Sequence, residues 1–187
     1  MAIPIPKDEL NEIARFAVLL MNEKSELSLV IIAGAKIEDL VKEAVGAFVP
    51  EASYGFKRNV KLLLYRGLID EPTAECINIL WWIRCQFAHK PTECSLADGQ
   101  IATRLQRLRE IMGPQIGGPL RSLEKKMESL ISQLVGSHAQ VALPGSSDMR
   151  FVALVLVFLI YHLLAAKLLV PAPGVAPEFG KVVLTTV

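Results

Sequence analysis

The sequence predicts an all-α protein, a single-domain bundle of about seven helices. Three observations favour this class. Of the 187 residues, 52% are hydrophobic but only 6% are aromatic, so the apolar content is largely aliphatic and suits packed helices. Glycine and proline number 12 and 11, which is few for a many-turned sandwich. Apolar residues recur at three- and four-residue intervals, and no segment alternates long enough to build a sheet.

The predicted helices follow one another with recognisable ends. The segments with helical periodicity are, in order, 7–22, 25–48, 56–66, 70–88, 97–112, 120–135 and 151–170. Ser25 and Asp70 are suited to cap the second and fourth helices, because their side-chain oxygens can accept hydrogen bonds from free backbone N–H groups. Gly67 predicts a left-handed end to the third helix. Lys90-Pro91 predicts the end of the fourth, because a residue before proline avoids helical geometry.

Charge and cysteine content exclude several classes of protein. Twenty basic residues oppose 19 acidic ones, so the chain lacks the strong positive charge of a general nucleic-acid binder, although a local basic patch is compatible with this total. Cys76, Cys85 and Cys94 form no CxxC pair, which argues against a disulfide framework and against a zinc site. With no secretion signal at the N-terminus, we expect a cytoplasmic protein that needs no metal and no cofactor.

The apolar segment 151–170 admits two interpretations. It is long enough to span a bilayer, which takes about 20 mainly apolar residues, and Arg150 suits a cytoplasmic flank. It also suits a helix at the centre of a bundle or dimer, which is apolar on all sides. His162 and Lys167 favour the second interpretation, because they are costly in hydrocarbon but easily placed at the rim of a soluble bundle.

The most informative stretch is Gly67–His89, GLIDEPTAECINILWWIRCQFAH. Its GLID start and its IR-x-x-FAH end resemble the mannitol operon repressor family. Three further segments look like other elements of that family: AGAKIEDLVKEAV at 33–45, GFKRNVKLLLY at 55–65 and SDMRFVALVLVFLI at 147–160. The resemblance implies an all-helical soluble fold and a role in transcription regulation without an obvious DNA-reading element. It also implies that 151–170 is a packed core helix.

The same resemblance sets the domain organisation that we expect. It covers 27–108 and 148–164, so 113–147 is interpreted as an insertion that carries one amphipathic helix. We place the regulator-like helical domain at 1–170 and a Pro/Gly-rich tail at 171–187. We expect the domain to self-associate as a homodimer.

Arg84 and His89 form the one pattern that suggests catalysis. Their spacing resembles the R-x(4 to 6)-H motif of the HEPN superfamily, whose nuclease members cut RNA without metal in a dimer. In such chemistry, His89 would act as acid and base and Arg84 would hold a phosphate. Nuclease members commonly have a polar residue such as Asn directly after the Arg, and the repressor family usually has Asn there, where this chain has Cys85. The alternative is structural: Arg84 ties its helix to a neighbouring carboxylate or carbonyl, and His89 caps the helix end.

Other candidate binding residues are basic or aromatic. The third helix predicts a basic cluster of Lys57, Arg58, Lys61 and Arg66, and Trp82 is a further contact candidate. A second basic cluster comprises Arg104, Arg107, Arg109, Arg121, Lys125 and Lys126. We therefore expect a non-enzymatic regulator that contacts a protein or nucleic-acid partner; the alternatives are a HEPN-type ribonuclease and a tail-anchored membrane protein.

Overall fold

The computed structural model describes residues 7–49, 55–116, 149, 151–153, 155–160 and 163. Over these ranges the chain is helical, without strands, which confirms the all-α class. The helices are α1 (Lys7–Asn22), α2 (Glu26–Gly46), α3 (Phe56–Tyr65), α4 (Glu71–His89) and α5 (Gly99–Ile116). A further helical segment includes the described residues from 149 to 163. The helix predicted at 120–135, most of the insertion and the tail lie outside the described residues.

Several helix ends form as the sequence predicts. Ser25 Oγ accepts a hydrogen bond from Ser28 N at 3.3 Å at the start of α2. Asp70 Oδ1 accepts one from Thr73 N at 2.9 Å at the start of α4. Gly67 follows α3 with a φ of +67°, the left-handed conformation that glycine adopts without steric cost.

The bounds of α5 differ from the prediction at both ends. The helix begins at Gly99 rather than at 97, because residues 95–98 form a turn in which Ser95 N donates to Asp98 Oδ2 at 2.6 Å. It also continues to Ile116, so the helix end predicted at 112 is wrong. Pro114 lacks one backbone donor, but its fixed φ is compatible with helical geometry.

Helix α4 lies at the centre of the described bundle and packs against α2, α3 and α5. Its own apolar residues enter the common core, with Ile77, Ile83 and Phe87 almost completely buried. Because α4 has neighbours on three sides, its polar residues contact other helices instead of facing only water. The candidate residues Trp81, Trp82 and Arg84 all lie on this helix.

The start of α2 is joined to the connection between α4 and α5. Glu26 Oε2 accepts hydrogen bonds from Ser95 Oγ at 3.1 Å and from Leu96 N at 2.8 Å. Farther along α2, Glu38 meets Arg84 of α4. Because residues later in α2 meet residues earlier in the α4 region, the two helices run antiparallel.

Most of the described residues in the C-terminal apolar segment are buried. Val152, Ala153, Val155, Leu156 and Leu159 are at most 1% exposed and belong to the same core as α2 and α4. This burial is what the packed-helix interpretation of 151–170 predicts. Within the described ranges, no helix combines the length and the apolar character needed to cross a membrane. The final residues of the segment, 164–170, lie outside those ranges.

Candidate functional site

Arg84 lies in the contact between α4 and α2. Its side chain crosses α2 at Gly34, where a methyl group would overlap Arg84 Cδ and lie 2.8 Å from Cγ and 2.9 Å from Cβ. Arg84 Nη1 then reaches Glu38 Oε2 at 3.5 Å, one helical turn beyond Gly34. Only a residue without a side chain leaves room for this close approach. The structural interpretation of Arg84 predicts this kind of tie to a neighbouring carboxylate.

The guanidinium of Arg84 is partly enclosed. The side chain is 27% exposed, and that of Glu38 is 26% exposed. Arg84 Nε is buried and has no hydrogen-bond partner within the described ranges. Burying an unpaired donor costs free energy, so the packed stem and the ion pair with Glu38 together must compensate.

His89 does not share this environment. It is the last residue of α4 and is exposed. The helix stays regular to this point, since Lys90 N donates to Gln86 O at 2.9 Å. Five positions along a regular helix turn two side chains about 140° apart. Arg84 therefore extends across α2, whereas His89 projects into solvent at the helix end, and the structure does not bring the two together.

The three cysteines occupy separate environments and are free thiols. Cys76 is fully buried, and this desolvation raises the pKa of its thiol to about 12. Cys94 Sγ donates to Gln86 O at 3.5 Å, and Cys85, which follows Arg84, is half-buried. In the part of the chain that the structure describes, no three His, Cys, Asp or Glu side chains lie close enough to share a metal ion.

The adjacent tryptophans point to different neighbours. Trp81 stacks on Phe56 of α3, with ring centroids 5.2 Å apart and planes 9° apart, and Lys57 Nζ lies 5.6 Å from its ring. Trp82 lies beneath Arg104 of α5, whose Cζ is 4.1 Å from the ring centroid. The sequence suggests Trp82 as a binding residue, but one face of its ring is covered by Arg104 within the bundle.

The basic cluster of α3 is on the surface. Lys57, Arg58, Lys61 and Arg66 are all exposed. Beside them lies Tyr65, which is 87% exposed and which the sequence reasoning missed. The signal was available, because Tyr65 continues the four-residue spacing of Lys57 and Lys61. We call Lys57, Arg58, Lys61 and Tyr65 the α3 outer face.

The described arginines of the second cluster contact residues of α4 or of the C-terminal segment. Arg104 covers Trp82, and Arg107 binds Glu75 of α4 through Nε at 2.8 Å and Nη2 at 3.0 Å. Arg109 Cζ lies 4.8 Å from the ring of Phe151. Three members of this cluster, Arg121, Lys125 and Lys126, lie outside the described residues.

The Arg107 contact changes the acidity of its partner. The hydrogen bond from Arg107 lowers the pKa of Glu75, and the charge of the guanidinium acts in the same direction.

The contacts of Arg104, Arg107 and Arg109 show that the described part of the second cluster serves packing between α4, α5 and the C-terminal segment. Arg104 and Arg107 are exposed as well, but both contact side chains of α4, and the α3 outer face adds an exposed aromatic ring.

Comparison of the chain with protein-family models, with curated proteins and with solved structures found no match.

Proposed function

We propose that this chain is a non-enzymatic regulatory protein, similar to mannitol operon repressors, that acts by contacting a partner macromolecule. The observation that carries the proposal is the placement of Arg84. Its stem lies on Gly34 and its guanidinium meets Glu38, so it supports the packing of α2 on α4. A phosphate-binding arginine needs an accessible guanidinium close to the catalytic histidine, and here His89 projects elsewhere.

The α3 outer face supports the binding part of the proposal. It places three cations and one aromatic ring in solvent on a single helix. A cluster of cations attracts anionic partners, and an exposed aromatic ring offers a large rigid contact surface. A regulator that works by contact needs such a surface, and it needs no catalytic group.

The first experiment asks whether the chain cleaves RNA. The purified full chain, its His89→Ala variant and its Arg84→Lys variant are incubated with mixed-sequence single-stranded RNA in EDTA, beside a control nuclease. The proposal predicts intact RNA with all three proteins. Cleavage by the wild type that is lost in His89→Ala would overturn it and assign the chain to metal-independent ribonucleases.

A second experiment asks whether the chain has a partner. The tagged wild-type chain is compared with a Lys57→Glu/Lys61→Glu variant and with Lys24→Glu, which alters an exposed lysine outside α3. The proposal predicts a partner that the wild type and Lys24→Glu retain and the α3 variant loses. Equal retention by all three proteins would contradict a role for this surface.

The expected homodimer is part of the same proposal. Sedimentation equilibrium of the full chain measures its mass directly. A mass near 41 kDa, twice the chain mass of 20.5 kDa, is expected; a monomer at micromolar concentration would remove self-association from the proposal.

A further inference from the structure

The α3 outer face is a narrow row of basic side chains that ends in an aromatic ring. Lys57, Lys61 and Tyr65 are spaced four residues apart, so they lie on one side of the helix and span roughly 12 Å along it. Arg58 lies beside this row, within about 100° of rotation from Lys57. The buried residues of α3, Phe56, Asn59, Val60 and Leu63, occupy the opposite side. The row therefore lies on the solvent side of α3, and Lys57 Nζ also lies 5.6 Å from the ring of Trp81.

The local charge is positive without interruption. Four basic residues and no acidic residue occur between positions 52 and 69. The next acidic residue along the chain is Asp70, whose Oδ1 accepts the capping hydrogen bond from Thr73 N. A linear polyanion would meet cations at successive turns of α3, and the attraction would be strongest at low salt.

Tyr65 gives this basic row a second property. Its ring is 87% exposed, whereas three other aromatic residues near α3 that the structure describes are packed: Phe56 is buried, Trp81 stacks on Phe56, and Phe48 lies beneath Arg66. A solvent-exposed ring beside Lys61 can receive a flat partner on its face. Nucleic-acid bases stack on such rings whatever their sequence, while basic neighbours hold the phosphates.

The composition of the row favours nucleic acid over protein. A stable protein contact buries roughly 800 Å² on each partner around an apolar centre in which lysine is depleted. The α3 outer face offers one ring among three cations on a ten-residue helix. Duplexes keep the faces of their bases stacked, whereas loops and ends of RNA expose them. The occupant that fits the row is single-stranded RNA.

We propose that the α3 outer face binds single-stranded RNA, with phosphates on Lys57 and Lys61 and a base stacked on Tyr65. This inference rests on the proposed function, since it names the partner of a regulator that acts by contact. The site lies on α3 and does not involve Arg84 or His89.

Fluorescence anisotropy with a labelled 15-nucleotide single-stranded RNA of mixed sequence tests the inference on the full chain. We expect Tyr65→Ala to weaken binding at least about five-fold, the lower bound for a lost base stack, and Tyr65→Phe to restore it. The Lys57→Gln/Lys61→Gln variant should reduce the slope of log affinity against log salt by about 0.7 for each lysine. Lys24→Gln, a control outside α3, should bind like the wild type. Because Tyr65 is exposed, these changes at the ring leave the core intact, which circular dichroism checks.

Three further probes make the result decisive. The same sequence as single-stranded DNA, the RNA as a duplex, and poly-glutamate are titrated in parallel. Tighter binding of the single-stranded RNA than of all three, with the Tyr65 dependence, supports the inference. Equal binding of poly-glutamate, binding unchanged by Tyr65→Ala, or no RNA binding at low salt overturns it. Such a failure removes the RNA assignment alone, because the non-enzymatic proposal fails separately, on cleavage in the EDTA assay.

Discussion

Two arginine–glutamate pairs join α4 to its neighbours, one on the side of α2 and one on the side of α5. On the α2 side, Arg84 meets Glu38 through a single contact of 3.5 Å, and both side chains are about one-quarter exposed, at 27% and 26%. On the α5 side, Arg107 binds Glu75 through two hydrogen bonds of 2.8 and 3.0 Å, and the two side chains are 53% and 43% exposed.

The pair with the better geometry is not the pair that we expect to contribute more to stability. The Arg107 pair has the better geometry, but water screens both partners, so an exposed pair of this kind contributes little. The Arg84 pair has the poorer geometry, but the arginine stem fills the space above Gly34. Removal of Arg84 would therefore lose packing as well as charge, although Lys42, 3.1 Å from Glu38, would still neutralise that carboxylate.

The strongest way to break the α2 side is Gly34→Ala. The added methyl group would overlap the Arg84 side chain, so we expect a loss of about 1–3 kcal/mol in the free energy of unfolding, as for other overpacked sites. Urea unfolding measures it. Gly46→Ala is the matched control on the same helix, because nothing lies within 4 Å of its added methyl group. Equal stability of the two variants would contradict the close approach of α2 and α4.

Arg84→Ala is expected to cost about 1–2 kcal/mol, chiefly through lost packing of the stem. Arg84→Met, which keeps an unbranched stem without charge, should recover most of this loss in the same urea measurement. In the Arg84→Ala background, Gly34→Ala should cost less than in the wild type, because the overlap with Cδ and Cγ is gone while the Cβ of residue 84, 2.9 Å from the added methyl group, remains. If Arg84→Met is as unstable as Arg84→Ala, the charge dominates at this contact instead of the packing.

Arg107→Ala is expected to have a smaller effect than Arg84→Ala, because its side chain is more than half exposed. The effect should shrink further as salt is raised, since screening weakens exposed pairs first. Thermal unfolding of both variants at low and high salt makes the comparison. A larger loss for Arg107→Ala would reverse the ranking of the two sides.

The smallest effect is a pH dependence that belongs to the α5 side. The pKa of Glu75 is lowered in the folded state from its ordinary value of 4.5, chiefly by the Arg107 hydrogen bond. A group with a lowered folded pKa stabilises the protein above its unfolded pKa and loses this contribution as the pH falls through its folded pKa. The stability difference between the wild type and Glu75→Gln should therefore diminish between pH 6 and pH 3. A difference independent of pH would show that the pair does not form in solution.

Local signals predicted the helices well, for a physical reason. Ser25 and Asp70 cap helices with their own side chains, and Gly67 ends one through its own φ, so each signal acts within a few residues. The start of α5 was misplaced because Asp98 and Ser95 form a turn whose hydrogen bonds compete with helix initiation.

The candidate site was less predictable, because its contacts join distant parts of the chain. A glycine in the middle of a helix, such as Gly34, predicts only lower helix stability at that point. The residues next to it in the sequence do not indicate that Arg84, fifty positions later, lies across it. The same limit applies to the basic clusters. Arg104 and Lys61 are both cations on helical faces, and only the packing of α5 on α4 separates the one that covers a ring from the one that faces water.

The divergent placement of Trp81 and Trp82 has an optical consequence. These are the two tryptophans of the chain, so its intrinsic tryptophan emission is the sum of one signal from the α3 side of α4 and one from the α5 side. Trp82→Phe leaves a probe that lies 5.6 Å from Lys57, and Trp81→Phe leaves one beneath Arg104. A pair of single-tryptophan proteins thus lets the opening of each side of α4 be followed separately, without an added label.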